Sequence, residues 1–438
     1  MRRSRFCSRR RFSTRINVDI TRPLLTSATA CHDVPTWDLN RVRTTSMLTV
    51  RRLVKWVTEA MSAIQTFFFR VSARCNLACE YCYVFKHNDM SWRDLPRIVS
   101  SDTVALFAKR LREYAEHEDL KTILVVLHGG EPLLVGSTVL VQHMDTIRDS
   151  MRGTAQVDFS LQTNGTMITS EFAEACHKRG VQISVSIDGP KHVHDRRRHT
   201  ANGHGSFARV LRGIRCLQTY PDLLCGVIGV IDPRVRADEI LRFYSNAGLN
   251  DMDLLLPDAT YDRPPPYRTE QPDIYVEWLI EAFDAWFDHY QHLSLRTFES
   301  ILRSHIGLNT SSDTFGLGEL TYLTVESDGS YHTSDILKAA YEGASKMGIT
   351  LYDASIAEAA SHRCMADYNR LLMRENLPDI CRHCEFCDMC GGGSLPHRFS
   401  QLNRFNNPTV YCREMKALFG HAGRRIADEV KAELAIES

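Results

Sequence analysis

No apolar run in this 438-residue chain reaches the ~18 residues needed to span a bilayer, so no membrane-spanning helix is expected. Nor is there an excess of either charge, because 53 Lys and Arg are matched by 53 Asp and Glu. That balance argues against a nucleic acid or an anionic membrane as partner, since both call for a surplus of cations. Acids are missing from the first sixteen positions, where seven arginines fall between Arg2 and Arg15. Residues 1–60 also lack the patterning of a packed domain. Their Arg-, Ser- and Thr-rich composition fits an organellar transit peptide, or a disordered extension ahead of a true start at Met61. Regular patterning begins within a few residues of Met61, so the second is expected, together with a cytoplasmic location.

What the chain does hold is cysteine, 14 in all. Clustering at C-x2-C spacing points to metal chemistry in a reducing compartment rather than to disulfides. The densest stretch is Arg74-Cys75-Asn76-Leu77-Ala78-Cys79-Glu80-Tyr81-Cys82-Tyr83, directly after the apolar run Thr66–Val71. Three thiolates on a short loop hold three irons of a 4Fe–4S cluster, which in ferredoxin sites has four ligands. The fourth iron is then open, and an open iron is a reaction site. The competing readings are a zinc site or unrelated buried thiols. Structural zinc prefers four protein ligands, and no fourth of obvious spacing follows.

From Gln65 to Asp258 short apolar runs alternate with amphipathic stretches. Strands are expected at Phe67–Val71, Ile123–Leu127, Asp158–Leu161, Ile183–Ile187, Gly226–Ile231 and Asp253–Leu256. Helical patterns occupy Thr103–Glu116, Thr138–Arg152, Ser170–Lys178, Phe207–Thr219 and Ala237–Asn246. Six strands alternating with helices predict an α/β fold over 64–258, a partial (β/α)6 TIM-like barrel with its site at the strand ends. Those ends carry His128-Gly129-Gly130-Glu131-Pro132, Gln162-Thr163-Asn164-Gly165, Ser186-Ile187-Asp188-Gly189-Pro190 and His194-Asp195-Arg196-Arg197-Arg198. Two glycines let backbone approach a ligand, a carboxylate meets an ammonium group, and a guanidinium takes a carboxylate in bidentate fashion. Ordinary turns and a solvated basic run are the plainer alternatives.

Residues 259–320 read as a linker and helical bridge. Asp262-Arg263-Pro264-Pro265-Pro266 is too proline-rich for helix, and Pro272–Gln291 has an aromatic face suited to packing. Residues 292–320 carry no pattern. Over 321–415 the cysteines return as Cys381-x2-Cys384-x5-Cys390-Gly391-Gly392-Gly393, with Cys412 later and Cys364 and Cys387 as extra thiols. A zinc knuckle is the alternative to an iron–sulfur cluster there. Asp335 precedes a helix expected from Ile336, where it is either a cap or a base. Residues 416–438 read as a C-terminal helix.

Cys75, Cys79 and Cys82 with Tyr81, followed one strand later by Gly129-Gly130-Glu131-Pro132, resemble the radical S-adenosylmethionine superfamily. The resemblance implies a 4Fe–4S cluster whose open iron chelates S-adenosylmethionine, and a 5′-deoxyadenosyl radical that abstracts hydrogen. It implies cofactor-binding roles for Gly129, Gly130, Glu131, Asn164, Ser186 and Arg198, with Glu131 at the methionyl amino group and Arg198 at the carboxylate. The C-terminal pattern is similar to the SPASM extension, whose full form binds two auxiliary clusters. Here Ser334 and Ser394 stand at positions of the first, while Cys381, Cys384, Cys390 and Cys412 match the second, with Cys387 and Cys364 as possible alternates. One auxiliary 4Fe–4S cluster is therefore expected.

Leu255-Leu256-Pro257-Asp258-Ala259, Gly391-Gly392-Gly393-Ser394-Leu395-Pro396-His397-Arg398 and Asn407–Cys412 look like the FxsB-type peptide maturases. That likeness implies a short ribosomal precursor peptide as substrate, a cyclophane-type crosslink as product, and flavodoxin or ferredoxin as reductant. By similarity to sulfatase-maturing relatives, Asp335 would be the base, given a pKa lifted by burial. Formylglycine formation is the alternative of the same chemistry, and a non-catalytic iron–sulfur carrier that of another class.

Overall fold

The run Thr66–Ser72 is apolar because the strand it forms is covered on both faces, as in parallel sheets. In a computed structural model, which describes residues 63–308 and 314–436, ten strands make one sheet. They are β1 (Thr66–Ser72), β2 (Thr122–Gly129), β3 (Gln156–Thr163), β4 (Gln182–Ser186), β5 (Leu224–Val230), β6 (Asp251–Leu255), β7 (Ser294–Leu295), β8 (Tyr322–Val325), β9 (Ser330–His332) and β10 (Lys346–Thr350). The extension at 1–60, with Cys7 and Cys31, lies outside the described residues.

β1 to β6 pair in chain order and in parallel, each overlapping an expected strand. The crossovers carry the helices Ser101–His117, Ser137–Ser150, Ser170–His177, Phe207–Gln218 and Ala237–Asn246, where the amphipathic stretches put them. Side chains fix the start of two of these. Ser100 Oγ accepts from Thr103 N at 3.0 Å, and Thr169 Oγ1 accepts from Phe172 N at 3.2 Å. Alternation along β1 divides the work between its faces. Phe67 and Phe69 pack on Phe107 of the first helix, Phe69 stacked at 4.4 Å. Phe68 and Arg70 face the barrel interior, and Phe68 lines its cavity.

The sheet extends past the six strands on both sides. β7 adds in parallel to β6, and β8 adds in parallel to β1, with β9 and β10 continuing antiparallel. The C-terminal segment thus shares the barrel's sheet through β8. Residues 292–320 hold β7 and the helix Arg296–His305, which no periodicity announced because the strand has two residues. The aromatic helix Ile274–His289 buries Trp278, Phe283 and Trp286, as its pattern implied. The final helix starts at Cys412 rather than 416. Among the described residues no helix is long and apolar enough to cross a membrane.

Candidate active site

β1 ends at Ser72, and the loop beyond it carries Cys75, Cys79 and Cys82 to the mouth of the barrel. Backbone bonds anchor that loop to its surroundings. Ala78 N donates to His199 O at 2.7 Å, Glu80 N to Arg197 O at 3.1 Å, and Gly130 N to Ser72 O at 2.8 Å. The glycines of the 129–131 motif are required by this closeness: a Cβ on Gly130 would lie 2.3 Å from Arg74 O, and Gly129 has φ +144°. The three sulfurs face a cavity of about 570 Å³, within the range of ~300–1,000 Å³ usual for ligand sites. Burial pushes the Cys75 thiol up to about 12, with Glu131, Cys79 and Cys82 adding to the rise, so iron must displace protons to bind.

Gly129, Gly130, Asn164, Ser186 and Arg198 line the same cavity. Arg198 closes the helix Lys191–Arg197 and is buried, not part of a solvated run. It donates through Nη1 to Tyr81 OH at 2.8 Å, and Tyr81 donates to Asp188 at 2.6 Å. Its Nε is buried without a partner, which fits an anionic group of a ligand. Ser186 Oγ accepts from Gln162 Nε2 at 3.0 Å. Glu131 is placed differently from its neighbours. It is fully buried, with its carboxylate accepting from Leu133 N, Thr163 Oγ1 and Asn164 N at 2.7–3.0 Å. It ties the ends of β2 and β3 together, and only the two glycines of the motif reach the cavity wall.

Joined to the loop through Tyr83 lies a buried network that sequence reasoning missed. Arg70 ion-pairs with Glu326 at 3.0 Å and with Asp335, and Lys338 pairs with Glu326. Tyr83 OH donates to Asp335 Oδ2 at 2.8 Å, while His128 Nδ1 is 3.1 Å from Arg70. The one available signal was an arginine inside Phe67-Phe68-Phe69-Arg70-Val71, a charge that a buried strand must pair. Asp335 is not a helix cap. It opens a short 3-10 helix, Asp335–Ala339, whose N-cap is Ser334, and no side chain makes a cap bond there. The expected lift of its pKa is also overturned. Burial raises it, but Arg70, His128 and Lys338 outweigh that and hold the carboxylate below its ordinary range. Burial and Arg70 likewise lower His128 to about 4, so its imidazole is neutral.

In the C-terminal segment Cys381, Cys384, Cys390 and Cys412 line one small pocket of about 20 Å³, and Cys387 lines it too. Cys387 is buried against Cys381, Leu377 and Leu317. Cys364, on the helix Arg363–Leu372, does not reach this pocket. Among the described residues no group of three His, Cys, Asp or Glu stands close enough to hold a single metal ion, at this pocket or at the loop of Cys75, Cys79 and Cys82. Ser334 is buried with its hydroxyl 2.5 Å from Tyr322 OH, and Ser394 lines the large cavity.

Residues 69–247 match the model of the Radical SAM superfamily. The chain is 23% identical over 370 residues to a cysteine-type anaerobic sulfatase-maturating enzyme of Clostridium novyi (strain NT), covering 82% of this chain and 95% of that protein. It is 24% identical over 275 residues to the radical SAM cyclopropyl synthase TigE of Paramaledivibacter caminithermalis, covering 59% of this chain and 55% of TigE. Among solved structures, native anSMEcpe with bound AdoMet shares the fold at TM-score 0.73 and 22% identity, over 84% of this chain and 99% of that one. The three-cysteine loop, the paired glycines and the orphaned Arg198 nitrogen all fall inside the matched span. Residues 69–247, the span that matches the Radical SAM superfamily, hold the residues that the resemblance assigns to a 4Fe–4S cluster and S-adenosylmethionine.

Proposed function

We propose that this protein removes a hydrogen from a side chain of a short ribosomally made peptide and closes an intramolecular crosslink of the cyclophane type. When bound, the cluster and S-adenosylmethionine supply a 5′-deoxyadenosyl radical that takes the hydrogen. The observation that carries the reading is the placement of Asp335, an ionised carboxylate on the wall of a cavity that also presents Phe68, Leu254, Leu255, Ile336 and Leu418. That lining suits an aromatic side chain. A β-carbon radical that adds to an aromatic ring leaves a ring that must shed one electron and one proton. Asp335 accepts the proton. A carboxylate held low is a poor base toward a neutral hydroxyl or thiol but sufficient for a ring cation, whose proton is far more acidic. Cys381, Cys384, Cys390 and Cys412 would hold an auxiliary 4Fe–4S cluster, which would supply an acceptor for the electron. Ser334, whose hydroxyl bonds Tyr322, and Ser394, a serine at an expected cysteine position, support one such cluster rather than two. Flavodoxin or ferredoxin in the cytoplasm is the matching electron donor.

Formylglycine formation from Cys or Ser is the second reading, favoured by the likeness to a sulfatase-maturating enzyme along most of the chain. The test uses anaerobically reconstituted holoenzyme, a reductant, S-adenosylmethionine and a displayed library of short peptides. A crosslinked product has lost two hydrogens and does not react with a hydrazide. Formylglycine is an aldehyde and does react, and finding it would overturn the crosslink. If no 5′-deoxyadenosine forms, the protein is an iron–sulfur carrier.

A further inference from the structure

Two stretches hold residues that the chemistry above does not use: Leu256–Ala259 after β6, and Leu395–Tyr411. The fold brings them together on one wall of the large cavity. Tyr411 OH donates to Pro257 O at 2.8 Å, and Val410 N donates to His397 O at 2.8 Å. The His397 ring packs edge-on against Tyr411 with centroids 5.0 Å apart. This frame sets His397 Nε2 at 3.6 Å from Asp258 Oδ1, and both residues line the cavity.

His397 is only 8% exposed, yet its Nε2 has no hydrogen-bond partner. Buried polar atoms without partners are few, and each is costly unless something fills the position. At 3.6 Å the nitrogen and the carboxylate oxygen are too far apart to bond each other well, but one polar atom between them can bond both. A carboxylate only accepts, so the bridging group must be a donor toward Asp258; an imidazole nitrogen adapts by tautomer.

We propose that Asp258 and His397 form a substrate subsite that takes a hydrogen-bond-donating side chain of the peptide, a few residues from the one presented to Asp335. The proposal rests on the reading of this cavity as a peptide site. The pair determines specificity: a peptide with a donor at the right spacing bonds both groups, and one without leaves them unpaired in the complex.

Capture of a randomised short-peptide library on holoenzyme tests this, with the parent compared against Asp258→Asn, His397→Ala and His397→Gln. Bound peptides are sequenced, and the melting temperature of each variant is recorded. The parent should enrich donor side chains at a fixed spacing from an aromatic residue. Asp258→Asn and His397→Ala should lose that enrichment and capture the selected peptides about tenfold more weakly, the worth of one charge-assisted hydrogen bond. His397→Gln, which keeps a polar atom, should retain part of it. Equal enrichment in all four proteins overturns the subsite. So does lost enrichment with a melting temperature lowered in every variant, which marks a structural latch between two loops. A parent that captures donor-bearing peptides but modifies none leaves the subsite standing and overturns the crosslinking function instead.

Discussion

The two cysteine-lined regions use the same ligand atoms and differ in number and in space. Cys75, Cys79 and Cys82 open onto a cavity of about 570 Å³, whereas the C-terminal cysteines enclose one of about 20 Å³. Burial pushes up Cys75 in one region and Cys390 in the other, each to about 12, so burial does not distinguish them. The distinction is three cysteines beside open volume, against five around a pocket with almost none. Reactivity at an iron–sulfur site is set by what the protein leaves out.

The sharpest way to break this comparison is to remove the open site alone. Replacing Cys75, Cys79 and Cys82 together by Ala should abolish 5′-deoxyadenosine formation in a chromatographic assay while the C-terminal iron stays bound. Continued cleavage would assign the chemistry to the wrong cysteines. Next comes Asp335→Asn, which keeps the shape and removes the proton acceptor. It should still cleave the cofactor, yet form product about 10²–10⁴-fold more slowly, the usual worth of acid–base catalysis. Product at the parental rate would leave Asp335 a purely structural partner of Arg70.

The third prediction sharpens the closed site. Reconstituted protein should hold about eight irons, two cubes of four. Cys384→Ala should leave about four, whereas Cys387→Ala, which removes a thiol packed on Leu377, should keep about eight. A loss on Cys387→Ala would exchange the roles of these two residues. The smallest effect is in stability against acid. Glu326 is buried, yet Arg70 and Lys338 bring it down to about 2, and Asp335 is lowered as well. A carboxylate depressed in the folded state stabilises it above its unfolded pKa of ~4, and this is lost as pH falls toward 2. The melting temperature should therefore drop steeply between about pH 4 and 2. Arg70→Gln should flatten that drop and cost about 3–5 kcal/mol at neutral pH, as expected for breaking a buried pair.

Much of this was legible in the residues. β1 and β2 announced themselves as nearly continuous apolar runs, and β3 and β4 by alternation of buried with exposed or half-buried positions. The cysteine loop and the glycine pair were legible because their chemistry allows few substitutes. Contacts made across long separations in the chain were hidden. Arg70 meets Asp335, 265 positions later, and no local period links them. β7 is two residues long, too short to show alternation. Asp335 looked like a cap because Asp before a helical stretch ordinarily is one, and the buried arginine that claims it lies in another part of the sequence. The pairing of Pro257 with Tyr411 was likewise invisible, though both motifs had stood out singly.

The placement of β8 against β1 bears on how the protein is made. β1 leads straight into the cysteine loop, and its outer neighbour, Tyr322–Val325, leaves the ribosome some 250 residues later, at ~5–20 residues per second. Until then β1 is an edge strand, with unpaired amides beside Phe67, Phe68 and Phe69, a surface prone to join other chains. Iron delivered early would meet a loop whose supporting strand lacks one side. The segment that emerges late thus completes the sheet beside the strand that leads into the cysteine loop.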